Sequence, residues 1–366
     1  MRRIALYLSG HGLGHAMRMK ELLFRIRERA PSAALYVTGP VPRWVFEEPP
    51  AVPVRLRPLR CDVGAIQDDS LRLDVRRTIE ENERFYRDAD ALVRREAAFL
   101  RAERIDLVVG DIPPLAFLAA SEARRPSVAV GNFSWDWIYE EYAAERASFG
   151  SVVELAREAY RRADLLLRLP MHGAMEAFRR VRDIPLIARK AATPRREVRR
   201  RLGIADGERR KVIFISMGGH AGAEIRESGR ADFGGHLYLS YFRPAARIPN
   251  LILIADRAGI AHPDIVAASD CVISKPGYCT VAECIANETP LVYTSRDHFR
   301  EYAVMAEGAA RYCRARLLPR EDFHAGAWAE QIEALLAGPP RRPEALRTNG
   351  AEEAAGIILE AAEKSA

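Results

Sequence analysis

Short apolar runs rich in β-branched residues alternate along this chain with longer stretches whose apolar positions recur at helical spacing. The first run, IALYLS (4–9), passes through a glycine-rich turn into a helical pattern. That pattern puts Met19, Leu22, Leu23, Ile26 and Ala30 on one stripe, with arginines opposite. ALYVTG (34–39) follows, then a charged helical stretch from about Asp74 to Arg104. After it come DLVVGD (106–111), an apolar helix from Leu115, SVAVGN (127–132), a helix near Ser151–Arg162 and DLLLRLP (164–170). This succession predicts a parallel, doubly wound sheet, because right-handed crossovers lay helices on both of its faces.

Residues 186–211, LIARKAATPRREVRRRLGIADGERRK, break the rhythm. They are polar and basic, contain Pro194 and Gly203, and predict a linker with one short helix. A second series follows: VIFIS (212–216), LILIA (251–255), DCVIS (270–274), PLVYTS (290–295) and a short run near Arg311–Cys313. Its helices are expected near Thr280–Asn287, His298–Glu307 and Ala327–Leu336, with a last one at Ala351–Glu363. The predicted division is 1–185, a linker at 186–210, 211–345 and a C-terminal helix within 346–366. Ligands of such sheets bind beyond the carboxyl ends of the strands, and two sheets in tandem can turn those edges to each other across a cleft.

A length of 366 residues suits two cores, and 48% hydrophobic with 29% charged residues excludes a disordered chain. No apolar run approaches a membrane span. MRRIALYLSG superficially resembles a signal peptide, but its apolar stretch is short and a glycine loop stands where cleavage would occur, so a cytoplasmic protein is expected. The net charge of +6 sits in runs such as RLRPLR (55–60) and RKAATPRREVRRR (189–201). These read as solvated surface with, at most, weak attraction to anionic membranes or phosphorylated substrates. No nucleic-acid motif accompanies them. The five cysteines include no C-x-x-C pair, as expected of a reducing compartment.

The residues that follow strands carry the candidate chemistry. Ser9-Gly10-His11-Gly12-Leu13-Gly14-His15 opens the first helix. Its spacing is not G-x-G-x-x-G, no acidic residue follows the second strand at Thr38-Gly39, and no Gly-Lys-Ser/Thr is present, which argues against NAD and against a P-loop. Gly12 and Gly14 let a ligand approach the backbone. His15 lies at the positive end of the helix, which favours a neutral imidazole able to take a proton. His11 lines the site or faces solvent. Asp111 lies at the same sheet edge and either orients His15, binds an acceptor hydroxyl or caps the next helix. Asn132, Trp135 and Asp136 set an aromatic beside a carboxylate, which suits sugar binding and suits loop packing equally.

In SKPGYCTVAE (274–283), Pro276-Gly277 makes a turn, Thr280 can cap a helix and Glu283 stands at capping-box spacing. The same turn and helix start can hold a diphosphate. Ser216-Met217-Gly218-Gly219 ends another strand. Arg296, Asp297 and His298 follow PLVYTS, and Arg296 can equally be a surface ion pair. Asp88-Ala89-Asp90 falls inside a helical pattern, where i and i+2 do not share a face, and no metal site is predicted.

GHGLGHAMR (10–18), GNFSWDWIYEEY (131–142), REVRRRLGI (196–204) and HPDIVAASDCVISKPGYCTVAECIANETPLVYTSRDHFREY (262–302) resemble the glycosyltransferase-like N-terminal half of L-arabinokinases. More distantly the chain resembles the N-acetylglucosaminyltransferases that make the lipid-linked disaccharide of peptidoglycan. The resemblance implies an α/β GT-B fold of two Rossmann-like domains. Together with the strand-end reading, it sets an acceptor site on the first, at Gly12, Gly14, Asn132, Trp135 and Asp136, with His15 and Asp111 catalytic. It implies a donor site on the second. There Ser216, Gly218, Gly219, Ser274, Pro276, Gly277 and Thr280 would meet the diphosphate, Glu283 the ribose, backbone of Ile260–His262 the base, and Arg296 and His298 the sugar.

The implied activity is metal-independent, inverting transfer from a nucleoside diphosphate sugar, uridine-linked, to a hydroxyl of a small molecule or glycan, with no further cofactor. Two alternatives accompany it: a nucleotide-sugar hydrolase, since such enzymes also show G-x-G-H-x-x-R, and a nucleotide-sugar sensor without turnover. The chain departs from the pattern in three ways. No sugar-kinase domain is expected after residue 366, Cys279 stands where glycine is expected, and 220–247 do not read as the usual helix.

Overall fold

The computed structural model describes residues 2–218, 225–226, 228–254, 259–338 and 343–364. They form two units. One comprises the chain up to Ile66, Asp74–Ile187 and the stretch from Arg347, and the other Gln67–Leu73 and Ala188–Leu346.

The first unit holds β1 (Arg3–Leu8), β2 (Ala34–Thr38), β3 (Arg55–Arg57), β4 (Leu107–Asp111), β5 (Ser127–Gly131), β6 (Leu165–Arg168) and β7 (Val181–Asp183). All run parallel in the order β3-β2-β1-β4-β5-β6-β7. β4 and β5 are buried on both faces, which explains their unbroken apolar character. The strand order reverses between β1 and β4, and at such a switch point a crevice opens beyond the strand ends. Gly110 in β4 is needed for packing, because a Cβ there would lie 2.6 Å from Phe117 Cζ.

The C-terminal helix, Gly350–Glu363, packs on the first helix, Leu13–Arg29. Gly350 is pressed against the Pro185 carbonyl, leaving no room for a side chain. This helix therefore completes the first unit.

The second unit holds β8 (Val212–Ile215), β9 (Leu237–Ser240), β10 (Leu251–Leu253), β11 (Cys271–Ser274), β12 (Leu291–Thr294) and β13 (Ala315–Leu318). These are parallel in the order β10-β9-β8-β11-β12-β13, with the switch between β8 and β11. Phe233, Tyr238, Phe323 and Trp328 dominate its core.

Several expectations need correction. The stretch 74–104 is two helices, Val75–Arg87 and Ala89–Ala102, parted at Asp88. The strand expected near Arg311–Cys313 is Ala315–Leu318, and Tyr312 still ends the helix Glu301–Tyr312, whose buried Met305 and Ala309 stand four residues apart. The basic 188–211 segment is no free linker. Val198 is buried, Ala192 N–H donates to Asp264 at 2.7 Å, and Arg195 and Arg199 pair with Asp270 at 2.8 and 2.9 Å. Residues 67–73 also belong to the second unit, where a turn made by Asp69 puts Leu71 into the core.

Candidate active site

His15 stands in the first turn of the helix that leaves β1, and Asp111 ends the neighbouring strand β4. Their pairing follows from the β1–β4 register, which sets Leu8 beside Asp111. His15 Nδ1 lies 3.0 Å from Asp111 Oδ1. Asp111 is fully buried, and Arg18, one helical turn beyond His15, donates to both of its oxygens, at 3.2 Å through Nε. Arg18 Nη1 donates to Asn132 Oδ1 at 2.9 Å. Burial alone would push the Asp111 carboxyl up, but the charges and hydrogen bonds of Arg18 and His15 outweigh it and hold the carboxyl below its ordinary range. An ionised Asp111 only accepts, so His15 carries its hydrogen on Nδ1 and leaves Nε2 as the basic nitrogen. Both Asp111 oxygens are engaged, by His15 and by Arg18. The next helix, Pro114–Ala123, has Pro113 as its N-cap.

Gly12 and Gly14 are exposed at this edge. A Cβ on Gly10 would meet Pro40 Cγ at 2.7 Å, whereas one on Gly12 would meet nothing within 4 Å. Packing thus explains the first glycine and not the second. Asp62 underlies the loop, accepting from Gly10 N–H and from the Trp135 indole, each at 3.0 Å, and burial pushes its carboxyl up. His11 is half-buried, its ring 5.2 Å from that of Trp135.

Three expected acceptor residues are corrected: Asn132 is buried and gives its side-chain oxygen to Arg18. Trp135 is wholly buried and stacked on Tyr139, so its face cannot meet a sugar. Asp136 is buried beside Arg157 in the helix Trp135–Glu145. In WDWIYEEY the residues from Trp135 to Tyr139, and Tyr142, are buried.

In the second unit Ser216 and Ser274 end the switch strands β8 and β11, and Ser274 Oγ donates to the Ser216 carbonyl at 2.5 Å. Gly218 is left-handed at φ +71°, and a Cβ there would lie 3.9 Å from Lys275 Nζ. Gly219 lies outside the described residues. Lys275, Pro276, Gly277, Arg296 and Phe299 line one depression, with the Arg296 guanidinium 4.2 Å above the Phe299 ring. His298 is exposed and left-handed.

The helix after this turn starts at Tyr278 with Gly277 as N-cap and no side-chain cap. Thr280 is therefore inside the helix, and the capping-box reading fails. Glu283 is buried, with one oxygen on Arg189 Nε at 2.7 Å and the other on His262 Nδ1 at 2.5 Å. Burial would raise its carboxyl, but Arg189 and His262 hold it below the ordinary range.

Arg18, Asp62, Lys275, Arg189 and the His262 side chain were not singled out from the sequence. GHGLGHAMR contains Arg18 and SKPG contains Lys275, so motif membership was the available signal for those two.

No protein-family model matches the chain. Over 363 residues it is 34% identical to an L-arabinokinase of Arabidopsis thaliana, covering 98% of this chain and 34% of that protein. The chain thus spans about a third of the length of the curated relative it matches. Among solved structures it is similar to the kitacinnamycin glycotransferase, with a TM-score of 0.61 and 14% identity over 98% of each chain. It is also similar to UGT89C1 of Arabidopsis thaliana complexed with UDP, with a TM-score of 0.58 and 15% identity over 99% of this chain and 100% of that one. The chain has the GT-B glycosyltransferase fold.

Proposed function

We propose, from the GT-B fold and the His15–Asp111 pair together, that this protein moves a glycosyl group from a uridine diphosphate sugar to a hydroxyl acceptor with inversion. The observation that carries the reading is the buried pair at the β1–β4 switch, with Asp111 fixing the tautomer of His15. His15 Nε2 removes the acceptor proton as that oxygen attacks the anomeric carbon. The bond to the diphosphate breaks, and one displacement inverts the centre. Gly12 and Gly14 leave backbone open to the acceptor.

The second unit holds the donor. Its leaving diphosphate is met by Ser216, Gly218, Lys275 and the turn Pro276-Gly277, with Arg296 and His298 towards the sugar. Fixed dipoles and the Lys275 ammonium supply the countercharge without a metal. UDP in the solved complex of UGT89C1 and dTDP in that of VinC support a nucleoside diphosphate donor. Glu283 is not assigned to the ribose, because Arg189 and His262 occupy its oxygens.

Thermal melting with UDP, dTDP and NAD tests the donor site. A ligand at a hundred times its dissociation constant stabilises by about 2.7 kcal/mol. UDP raises the melting temperature and NAD does not; no shift with any nucleoside diphosphate refutes the assignment. Incubation of UDP-sugars without an acceptor separates transfer from hydrolysis, since only a hydrolase then releases free sugar.

A further inference from the structure

Ser216, His262 and Glu283 form a hydrogen-bonded series at the carboxyl end of β8 whose direction the donor reading leaves open. Ser216 Oγ lies 2.8 Å from His262 Nε2, and His262 Nδ1 lies 2.5 Å from Glu283 Oε2. The other Glu283 oxygen is taken by Arg189. The imidazole is further faced by the Phe214 ring at 5.2 Å from β8 and the Tyr241 ring at 6.2 Å from just beyond β9. Among the described residues, the charged groups in hydrogen-bond contact with this series are Glu283 and, behind that carboxylate, Arg189. The His262 side chain remains 23% exposed, so it can exchange a proton with solvent.

Counting hydrogens gives the series two states. Glu283, ionised against Arg189, only accepts, so Nδ1 of His262 carries a hydrogen in both. When the ring is neutral, Nε2 accepts and the single hydroxyl hydrogen of Ser216 is committed to it. Ser216 then turns only lone pairs outward. When the ring is cationic, Nε2–H donates to Ser216 Oγ, and the hydroxyl hydrogen is released to an outside acceptor. A diphosphate, itself an acceptor, fits the second state and is repelled by the first.

We propose that His262 is a positioning residue that couples binding of the donor diphosphate to uptake of one proton, turning the Ser216 hydroxyl towards the phosphate. The proposal rests on the donor site described above. No covalent bond changes: one proton passes from solvent to His262 Nε2, and the Ser216 hydrogen passes from a contact with His262 to one with the phosphate.

Isothermal titration of the full chain with UDP-glucose tests it, because this ligand's diphosphate has no group that titrates near neutrality. Titrations in buffers of unlike ionisation enthalpy, over a range of pH, count the protons taken up. The wild type takes up a proton, and its affinity falls by up to about tenfold per pH unit as the solution becomes alkaline. His262→Gln and Ser216→Ala bind without proton uptake and with a flat pH profile. Should His262→Gln fail to fold in ligand-free melts, Ser216→Ala leaves the His262–Glu283–Arg189 contacts in place and carries the test. Binding to the wild type with no proton uptake at any pH, or equal uptake in Ser216→Ala, overturns the proposal alone. Failure of both UDP-glucose and dTDP-glucose to bind overturns the donor reading beneath it.

Discussion

His15 and Asp111 are 96 residues apart in the chain, yet Nδ1 of one meets Oδ1 of the other at 3.0 Å. Parallel pairing of β1 with β4 makes this meeting, and Arg18 completes it by neutralising a carboxylate that has no access to water. The same pair, catalytic in the proposed function, is also a buried charge that the fold must balance.

Asp111→Asn separates these consequences. The variant keeps the shape but cannot impose the tautomer, and in a hydrolytic triad the equivalent change costs roughly 10⁴ in turnover. It also leaves Arg18 without its buried partner, a loss of about 3–5 kcal/mol. Turnover and melting temperature should both fall. A variant that melts like the wild type would show that Arg18 and Asp111 do not form the buried pair described.

The acid side of the stability profile follows from sign. The Asp111 carboxyl is held below its ordinary value, so its contribution is present above the unfolded value of about 3.9 and is lost as pH falls through the folded one. The gap in melting temperature between wild type and Asp111→Asn should therefore narrow as pH falls below about 4. A gap independent of pH would contradict the pairing.

Glu283→Gln distinguishes a structural carboxylate from a ribose ligand. Removing the charge strands Arg189 and His262, at a cost on the order of 3 kcal/mol. Chemical denaturation should reveal that loss. Undiminished stability with weakened nucleotide binding would restore the ribose role.

The glycine loop offers a paired test. Gly10→Ala drives a Cβ into the rigid Pro40 ring and should destabilise by about 1–3 kcal/mol. Gly12→Ala meets no neighbour and should cost less than about 1 kcal/mol at its N-cap position. If Gly12 is kept open for an acceptor, its alanine variant turns over slowly while melting almost normally. Normal turnover would detach Gly12 from the site.

What could be read from the chain depended on how far each signal reaches. Strands such as DLVVGD and SVAVGN are buried on both faces and announce themselves. RLR (55–57) and VRD (181–183) are charged edge strands, and LYLS (237–240) is only four residues long, so periodicity had too little to act on. His15 and Asp111 were legible because strand ends at a switch point are where ligands bind. Arg18 was legible only as a motif letter, since its partner lies 93 residues away. The position of Trp135 misled because an aromatic after a strand looks the same whether it lines a site or, as here, sits on Asp62 and Tyr139 beneath it. Glu283 misled likewise, because capping spacing says nothing of Arg189, whose side chain arrives from 94 residues upstream.

Acceptor-dependent release of UDP, compared between wild type and His15→Ala, decides whether His15 serves as the base. UDP-sugars are supplied with a panel of hydroxyl acceptors, released UDP is quantified, and the anomeric configuration of the product is read by NMR. The wild type should yield an inverted glycoside, and His15→Ala should turn over more slowly by about 10²–10⁴, the range for loss of a general base. A retained configuration, or equal turnover in the two proteins, would contradict the proposed function.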